Sequence, residues 1–392
     1  MNQPRPAFGN RALAAAVIVV AALILFVTIG RGPNTASPPP ASSSAVPSSA
    51  GPTTSAAASA SVPASGDISP SPSIQSGSSA APAEWTKVTP SGAGPSAREG
   101  QTWTVDPSSA AAYLFGGRGS ADLNDLWVYD LTADSWTRLA PKGAVPGART
   151  DHVAAWIDGL GLVVAGGRSG TKVLDDLWAY DPNANAWRAL ATSGSRPPAR
   201  SGSCSTLSPD GRLWISGGRA ANGTYLGDTW SYDPGPSKWA KQPITGAGPG
   251  ARDGAACWWT SDGALALYGG RSATAPALAD LWTLDGAASG GGWSEHDAAG
   301  LPARARAAAG GSQAIVAVGG LGTDGQPRAD VTIFDPRSLA ATTHGTSGAG
   351  GSSPEARSGA SLVDDPESER ELVFGGRGSS GPSSEVWALT LP

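Results

Sequence analysis

The chain has 392 residues, with 27 lysines and arginines against 32 acids and a formal charge of −5. That balance excludes the strongly basic surface on which bulk nucleic-acid binding depends, and two cysteines, Cys204 and Cys257, are too few for the disulfide framework of a small secreted domain. The length suits two ordinary domains or one large all-β barrel or propeller. Residues 1–11 carry Arg5 and Arg11 and lead into ALAAAVIVVAALILFVTIG, residues 12–30, an uncharged and mostly apolar run close to the ~20 residues that cross a bilayer as a helix. Only Arg31 follows at once, so the charge bias predicts a cytoplasmic N-terminus, a single-pass anchor and an exported remainder. The run is longer than the ~7 to 15 residues of a cleaved signal's apolar core, and no clear A-x-A site follows it. Residues 31–84 are rich in Ser, Ala, Pro, Gly and Thr and cannot bury enough apolar surface to offset their ordering entropy. They read as a disordered linker able to span on the order of 100 Å if largely polyproline II.

From residue 85 to the end the sequence repeats. Gly-Gly pairs begin at Gly116, Gly166, Gly217, Gly269, Gly319 and Gly375. Trp127, Trp178, Trp230, Trp282 and Trp387 follow the pairs in the phrase D-L-W-x-Y-D or its variants, and Trp85, Trp136, Trp187, Trp239 and Trp293 punctuate the phases between. Short apolar runs such as YLF, LVVA, LWIS and IVAV end at each Gly-Gly and read as buried strands. Glycine at those pairs lets another group, an aromatic for instance, approach the backbone closely. The tryptophans recur on both strand faces and so read as core, not as sugar-stacking platforms.

A period of about 50 residues with P-x-A-R, an apolar run ending in GG, D-L-W-x-Y-D and then W resembles kelch-repeat β-propellers. The resemblance covers residues 85–392 and implies one four-stranded blade per repeat, hence an all-β, six-bladed kelch-type propeller. The domain enters on Trp85–Val88, which matches an outermost strand, and stops just after a third strand, Val386 to Leu389. Residues 85–88 are therefore expected to close the ring as the missing outer strand of the last blade. The fifth repeat has Leu321 where the others have Arg, Thr332 in place of Trp and no Trp after Phe334, which predicts a ragged or mobile outer strand there.

Chemistry is sparse. The copper-radical sugar oxidases that share this architecture need clustered imidazoles and tyrosines, whereas His152, His296 and His344 fall at three different phases of three repeats, and Tyr113, Tyr129, Tyr180, Tyr232 and Tyr268 fall on strand positions. No catalytic residue, metal site or cofactor is assigned. Cys204 lies four residues beyond its repeat arginine and Cys257 five beyond, so the two are expected to face opposite ways and to stay free and buried.

Charge is more informative. One rim of the disc is expected to collect two arginine sets, Arg98, Arg149, Arg200, Arg252, Arg304 and Arg357 from P-x-A-R, and Arg118, Arg168, Arg219, Arg271 and Arg377 from Gly-Gly-Arg. The other rim collects aspartates that mostly precede Gly or Pro, such as Asp106, Asp158, Asp210 and Asp262, and reads as turn chemistry. Each loop after a Gly-Gly pair ends in an acid, Asp125, Asp176, Asp228, Asp280, Asp330 or Glu385, and the expectation is that this acid pairs with the arginine that opens the loop where there is one. The P-x-A-R arginines have no such evident partner. They are the candidate ligand-binding residues, because in kelch domains the matching arginines often line the pocket mouth and some grip acidic peptides. The functional expectation is a membrane-tethered, extracytoplasmic binding module for an envelope protein, an acidic peptide or a uronic or sialic acid type glycan, with no nucleic-acid role. The alternative is a carbohydrate-active enzyme of sugar oxidase or sugar-acid epimerase or lyase type that uses the arginine-lined mouth.

Overall fold

The computed structural model of the chain describes residues 83–286, 291–348, 353–365 and 367–391. The expected membrane helix over 12–30 and nearly all of the linker lie outside them; Ala83 and Glu84, placed in the linker by composition, belong to a strand. Among the described residues no helix is long and apolar enough to cross a membrane.

In blades one to five each repeat folds into an antiparallel sheet whose strands run in sequence order from the axis outward. Blade one consists of Thr102–Asp106, Ala111–Phe115, Leu126–Asp130 and Ser135–Leu139. The innermost strands of blades two to six are Val153–Ile157, Cys204–Leu207, Ala256–Trp259, Ala308–Gly310 and Ser358–Asp365. Each lies beside the next, and the sixth lies beside the first, so the ring is closed. In blade six the outer strand is Ala83–Val88, antiparallel to Val386–Thr390 with Trp85 opposite Leu389 and Lys87 opposite Trp387.

Alternation explains the core. Period-two geometry sends neighbouring residues of a strand to opposite sheet faces, and here both faces meet another blade. In LWVYD, Trp127 and Tyr129 pack with Leu372 and Phe374 of blade six, while Leu126 packs with Leu162 and Val164 of blade two. Six buried apolar clusters result among the described residues, one at each blade interface. Backbone latches supplement them: Ser91, Lys142 and Ser193, each on a chain leaving an outer strand, donate N–H to Asp134, Asn185 and Ser237 of the next blade at 2.8 to 3.1 Å.

Three expectations are corrected. The outer strand of blade five is an ordered strand, Ala341–His344, paired along its length with Val331–Phe334. The chain beyond it extends the same kind of latch, since Thr346–Gly348 pairs in parallel with Ala83–Trp85. Phe334 stands where blade one has Tyr129 and packs 5.0 Å from the rings of Trp258 and Tyr268, and Ala341, where blade one has Trp136, is buried in one cluster with it, Leu301 and Leu339. Next, the closest approach to the first glycine of each pair is a backbone carbonyl of the next blade: a Cβ on Gly116 (φ 65°) would lie 2.8 Å from the carbonyl oxygen of Arg149, with the His152 ring next at 3.1 Å.

The third concerns Cys204 and Cys257, which form a disulfide with Cα atoms 5.7 Å apart. They do face opposite ways along their strands. In a ring, however, a side chain on the forward face of one inner strand meets one on the backward face of the next, so opposite orientation is what joins them.

Candidate functional site: the arginine-lined mouth

Both arginine sets lie at one end of the ring, and the structure buries the set expected to line the mouth. Arg98, Arg149, Arg200, Arg252, Arg304 and Arg357 are buried, none more than 5% exposed. Arg149 shows the arrangement: Nη1 donates to Gly166 O at 3.0 Å and to Asp176 Oδ1 at 2.7 Å, Nη2 donates to Asp176 Oδ2 at 2.7 Å, and Nε donates to Gly147 O at 3.0 Å. The acid lies 27 residues downstream, at the end of the Gly-Gly loop of the same blade. Arg98, Arg200 and Arg252 repeat this fork with Asp125, Asp228 and Asp280, and Arg304 and Arg357 reach Asp330 and Glu385 by one nitrogen each. The tryptophan two residues after the acid completes the unit, as when Trp178 Nε1 donates to Asp176 Oδ2 at 2.9 Å. Each unit ties the start of the first strand to the start of the third.

Its electrostatics are those of a buried arginine satisfied by a partly buried carboxylate. Burial alone would push the Asp125, Asp176, Asp228 and Asp280 carboxyls up, but hydrogen bonds from arginine and tryptophan hold them below the usual carboxylate range. Glu385, which also accepts from Lys87, is held at about 2. The sequence does contain a signal for the pairing, an acid 26 to 28 residues after each P-x-A-R arginine, which close attention to the nearer Gly-Gly-Arg hides.

With those six arginines buried, Arg168, Arg219 and Arg271 of the Gly-Gly-Arg set are the ones that line the mouth, while Arg118 forks onto Asp122 of its own loop. Two residues past each buried arginine the chain turns through the left-handed region at Gly100, Asp151, Gly202, Gly254, Arg306 and Gly359, with φ between 54° and 68°. There each backbone N–H donates to the carbonyl of its counterpart in the preceding blade at 2.7 to 2.9 Å, so the six residues form a closed ring of hydrogen bonds around the axis.

Beside this ring is a cavity of about 200 Å³ lined by Asp151, Arg168, Arg219, Asp253, Arg271 and Arg306 among others. Its charges alternate. Arg377 Nε donates to Glu99 at 2.5 Å, Arg306 Nη2 lies 3.4 Å from Glu99 and 3.0 Å from Asp151, and Arg168 Nη2 lies 3.7 Å from Asp151. Arg271 grips Asp253 through two nitrogens; that hydrogen bond, outweighing burial, raises its pKa further. Arg219 is exposed, donates to Gly223 O at 3.0 Å and stacks 5.1 Å over Tyr225, with no carboxylate partner among the described residues.

Sequence reasoning passed over Asp151, Arg306 and Tyr225. Asp151 and Arg306 stand where four repeats have glycine, and Tyr225 is the one tyrosine off the strand positions; those irregularities were the available signals. The histidines are not brought together. His152 is buried beside the cavity, shares a hydrogen bond with Thr102 at 2.8 Å, and is held at about 3 by burial and by Arg149. His296 and His344 lie on the outer strands of blades four and five. On the opposite rim Asp130, Asp181, Asp233 and Asp335 accept backbone N–H groups two or three residues on, which is turn chemistry.

The family model described as the KLHDC2/KLHL20/DRC7 Kelch-repeats domain matches residues 79–270 and 189–363, together more than half of the chain. Among curated proteins, the chain is 34% identical over 178 residues to "Serine/threonine-protein phosphatase BSL2" of Arabidopsis thaliana, covering 43% of this chain and 17% of that protein. It is 31% identical over 222 residues to "Adagio-like protein 1" of Oryza sativa subsp. japonica, covering 51% and 33%. The chain thus spans a third or less of the length of these relatives. A solved structure titled "Structure of YjhT" superposes with a TM-score of 0.59 at 20% identity, over 76% of this chain and 96% of that one, a likeness of fold alone.

Proposed function

Since the chain belongs to the kelch-repeat β-propeller family, we propose that it is an interaction module that takes an anionic ligand, an acidic segment of a partner protein or a sugar-acid glycan, at the mouth beside the axial ring. The observation that carries this reading is the exposed Arg219 guanidinium, without a carboxylate partner among the described residues and set in a cavity with Arg168, Arg271 and Arg306. Arginine's fork suits carboxylates, and several such groups around one axis focus a positive potential that steers anions. The six buried arginines act on the ligand only by holding these loops in place. Nothing observed favours the carbohydrate-active alternative.

The proposal also keeps the propeller outside the cell membrane, tethered by residues 12–30. Two observations support it: the uncharged apolar run itself, and the Cys204–Cys257 disulfide, a bond that persists in oxidising compartments and is rare in the cytosol. Substituting Arg168 and Arg219 together by alanine should abolish capture of partners from envelope extract without changing the melting temperature, and raising salt should weaken capture by the wild type. Capture that survives both changes would overturn the ligand reading. On intact cells, added protease should remove the propeller while the first eleven residues stay protected; a protected propeller would overturn the topology.

A further inference from the structure

We infer that Asp151 is an internal competitor for the ligand's carboxylate: it pairs with Arg306 and Arg168 at the mouth, and an anionic ligand binds by displacing it. This rests on the anionic reading of the mouth given above.

Three observations converge on Asp151. The axial ring needs only backbone, and in four blades glycine serves there. Asp151 (φ 54°) and Arg306 (φ 59°) instead hold non-glycine residues in the left-handed region, an uncommon conformation for a side chain as bulky as arginine and one that clusters at functional sites. What the two side chains add is therefore separate from closing the ring.

Second, they stand three positions apart in a ring of six and meet across the axis, Arg306 Nη2 to Asp151 Oδ1 at 3.0 Å. The glycines beside them leave the room: a Cβ on Gly100 would lie 2.7 Å from Asp151 Oδ1, and one on Gly359 would lie 2.8 Å from Arg306 Nη2. Arg306 also belongs to the blade whose Gly-Gly-Arg position is Leu321, so it restores from the axis the cation that blade lacks.

Third, the pairing leaves donors in want of an acceptor. Arg168 holds Asp151 only at 3.7 Å, and its Nε is buried without a partner. Arg306 divides a single nitrogen between Asp151 and Glu99. A ligand carboxylate entering between Arg168 and Arg306 can accept from both forks, and the displaced Asp151 side chain can turn toward solvent in the open cavity. Affinity for anions is then set by what the ligand gains over this internal carboxylate.

The test uses the full-length chain and an N-acetylated, C-amidated hexaglutamate peptide as probe, titrated by calorimetry. Asp151→Asn keeps the side chain's size and tolerates the left-handed backbone, so it should fold with unchanged melting. It should bind the probe at least tenfold more tightly than the wild type. Asp175→Asn removes the same charge from an exposed loop on the same rim and should bind as the wild type does. In Asp151→Asn/Arg306→Gln the gain should vanish. Equal affinity of Asp151→Asn and wild type, or an equal gain in Asp175→Asn, would overturn the competitor role while leaving the anion site standing. A probe that binds none of the variants would sink both.

Discussion

Whether an arginine is a staple or a ligand contact turns on what surrounds its guanidinium. Arg149 is 1% exposed with every nitrogen engaged, so Arg149→Ala takes the donor from the Gly166 carbonyl and leaves Asp176, 38% exposed, with Trp178 as its side-chain donor, and should cost about 2 to 3 kcal/mol in urea unfolding. Arg219→Ala, at an exposed side chain, should stay within about 0.5 kcal/mol of wild type. Similar losses for the two would mean that Arg149 is no more a staple than Arg219. Glu371 is the opposite kind of residue. It is buried, its Oε2 has no partner, and burial, then Asp364 on the paired strand, pushes its carboxyl up to about 8. A carboxyl with a higher pKa folded than unfolded stabilises most below its unfolded value, and that contribution fades as pH climbs toward the folded one. Its effect is thus lost between about pH 4.5 and about pH 8. Glu371→Gln should melt higher than wild type at pH 8 and show a flatter profile across that window; parallel melting curves would show that Glu371 is not held neutral. The staple carboxylates run the other way. Their depressed pKa values stabilise at neutral pH, and for Glu385 the contribution is lost as pH falls toward about 2.

Blades are held by what lies between them, and the six interfaces are unequal. The buried cluster between blades three and four is Trp214, Leu265 and Leu284, with Cys257 and Trp259 packed against it; the cluster between blades two and three includes Leu213, Ile215, Trp230, Tyr232 and Trp239. The Cys204–Cys257 disulfide crosses the thinner interface. Cross-linking inner strands of adjacent blades restricts the unfolded chain and stops the ring from parting where apolar burial is least. The double variant Cys204→Ala/Cys257→Ala should lose about 2 to 4 kcal/mol, and hydrogen exchange should rise first at Leu213–Ser216 and Leu265–Tyr268. Exchange that rises evenly around the ring would argue against a local role.

At the scale of the whole molecule, stability depends on closing a circle from a linear chain. The chain's first described strand joins its last, and Trp85, 0% exposed, packs with Val331, Leu362 and Val373 between blades five and six. Trp85→Ala should cost about 3 to 5 kcal/mol by leaving a cavity at the seam. Lys87→Ala, which removes the exposed pair with Glu385 and a cation–π contact 5.7 Å over Trp387, should cost about 1 kcal/mol. If both variants melt like the wild type, the seam contributes little to holding the ring.

The sequence by itself determined the number of blades, their phase and the apolar faces of their strands, because six copies of one pattern must each bury the same positions against a neighbour. The departures from that pattern, Leu321, Thr332 and the missing tryptophan of the fifth repeat, were equally plain, although their consequence for the outer strand was not. Tertiary structure alone decided which arginine of each repeat is buried. Both sit in loops at one end, and Arg149 reaches an acid 27 residues away only after the second strand has carried the chain back past it. It also decided the disulfide, since side chains on opposite faces of successive inner strands meet only once the blades stand around an axis. The pairing of Asp151 with Arg306 belongs with these, because two residues 155 positions apart in the chain become neighbours only across a closed ring.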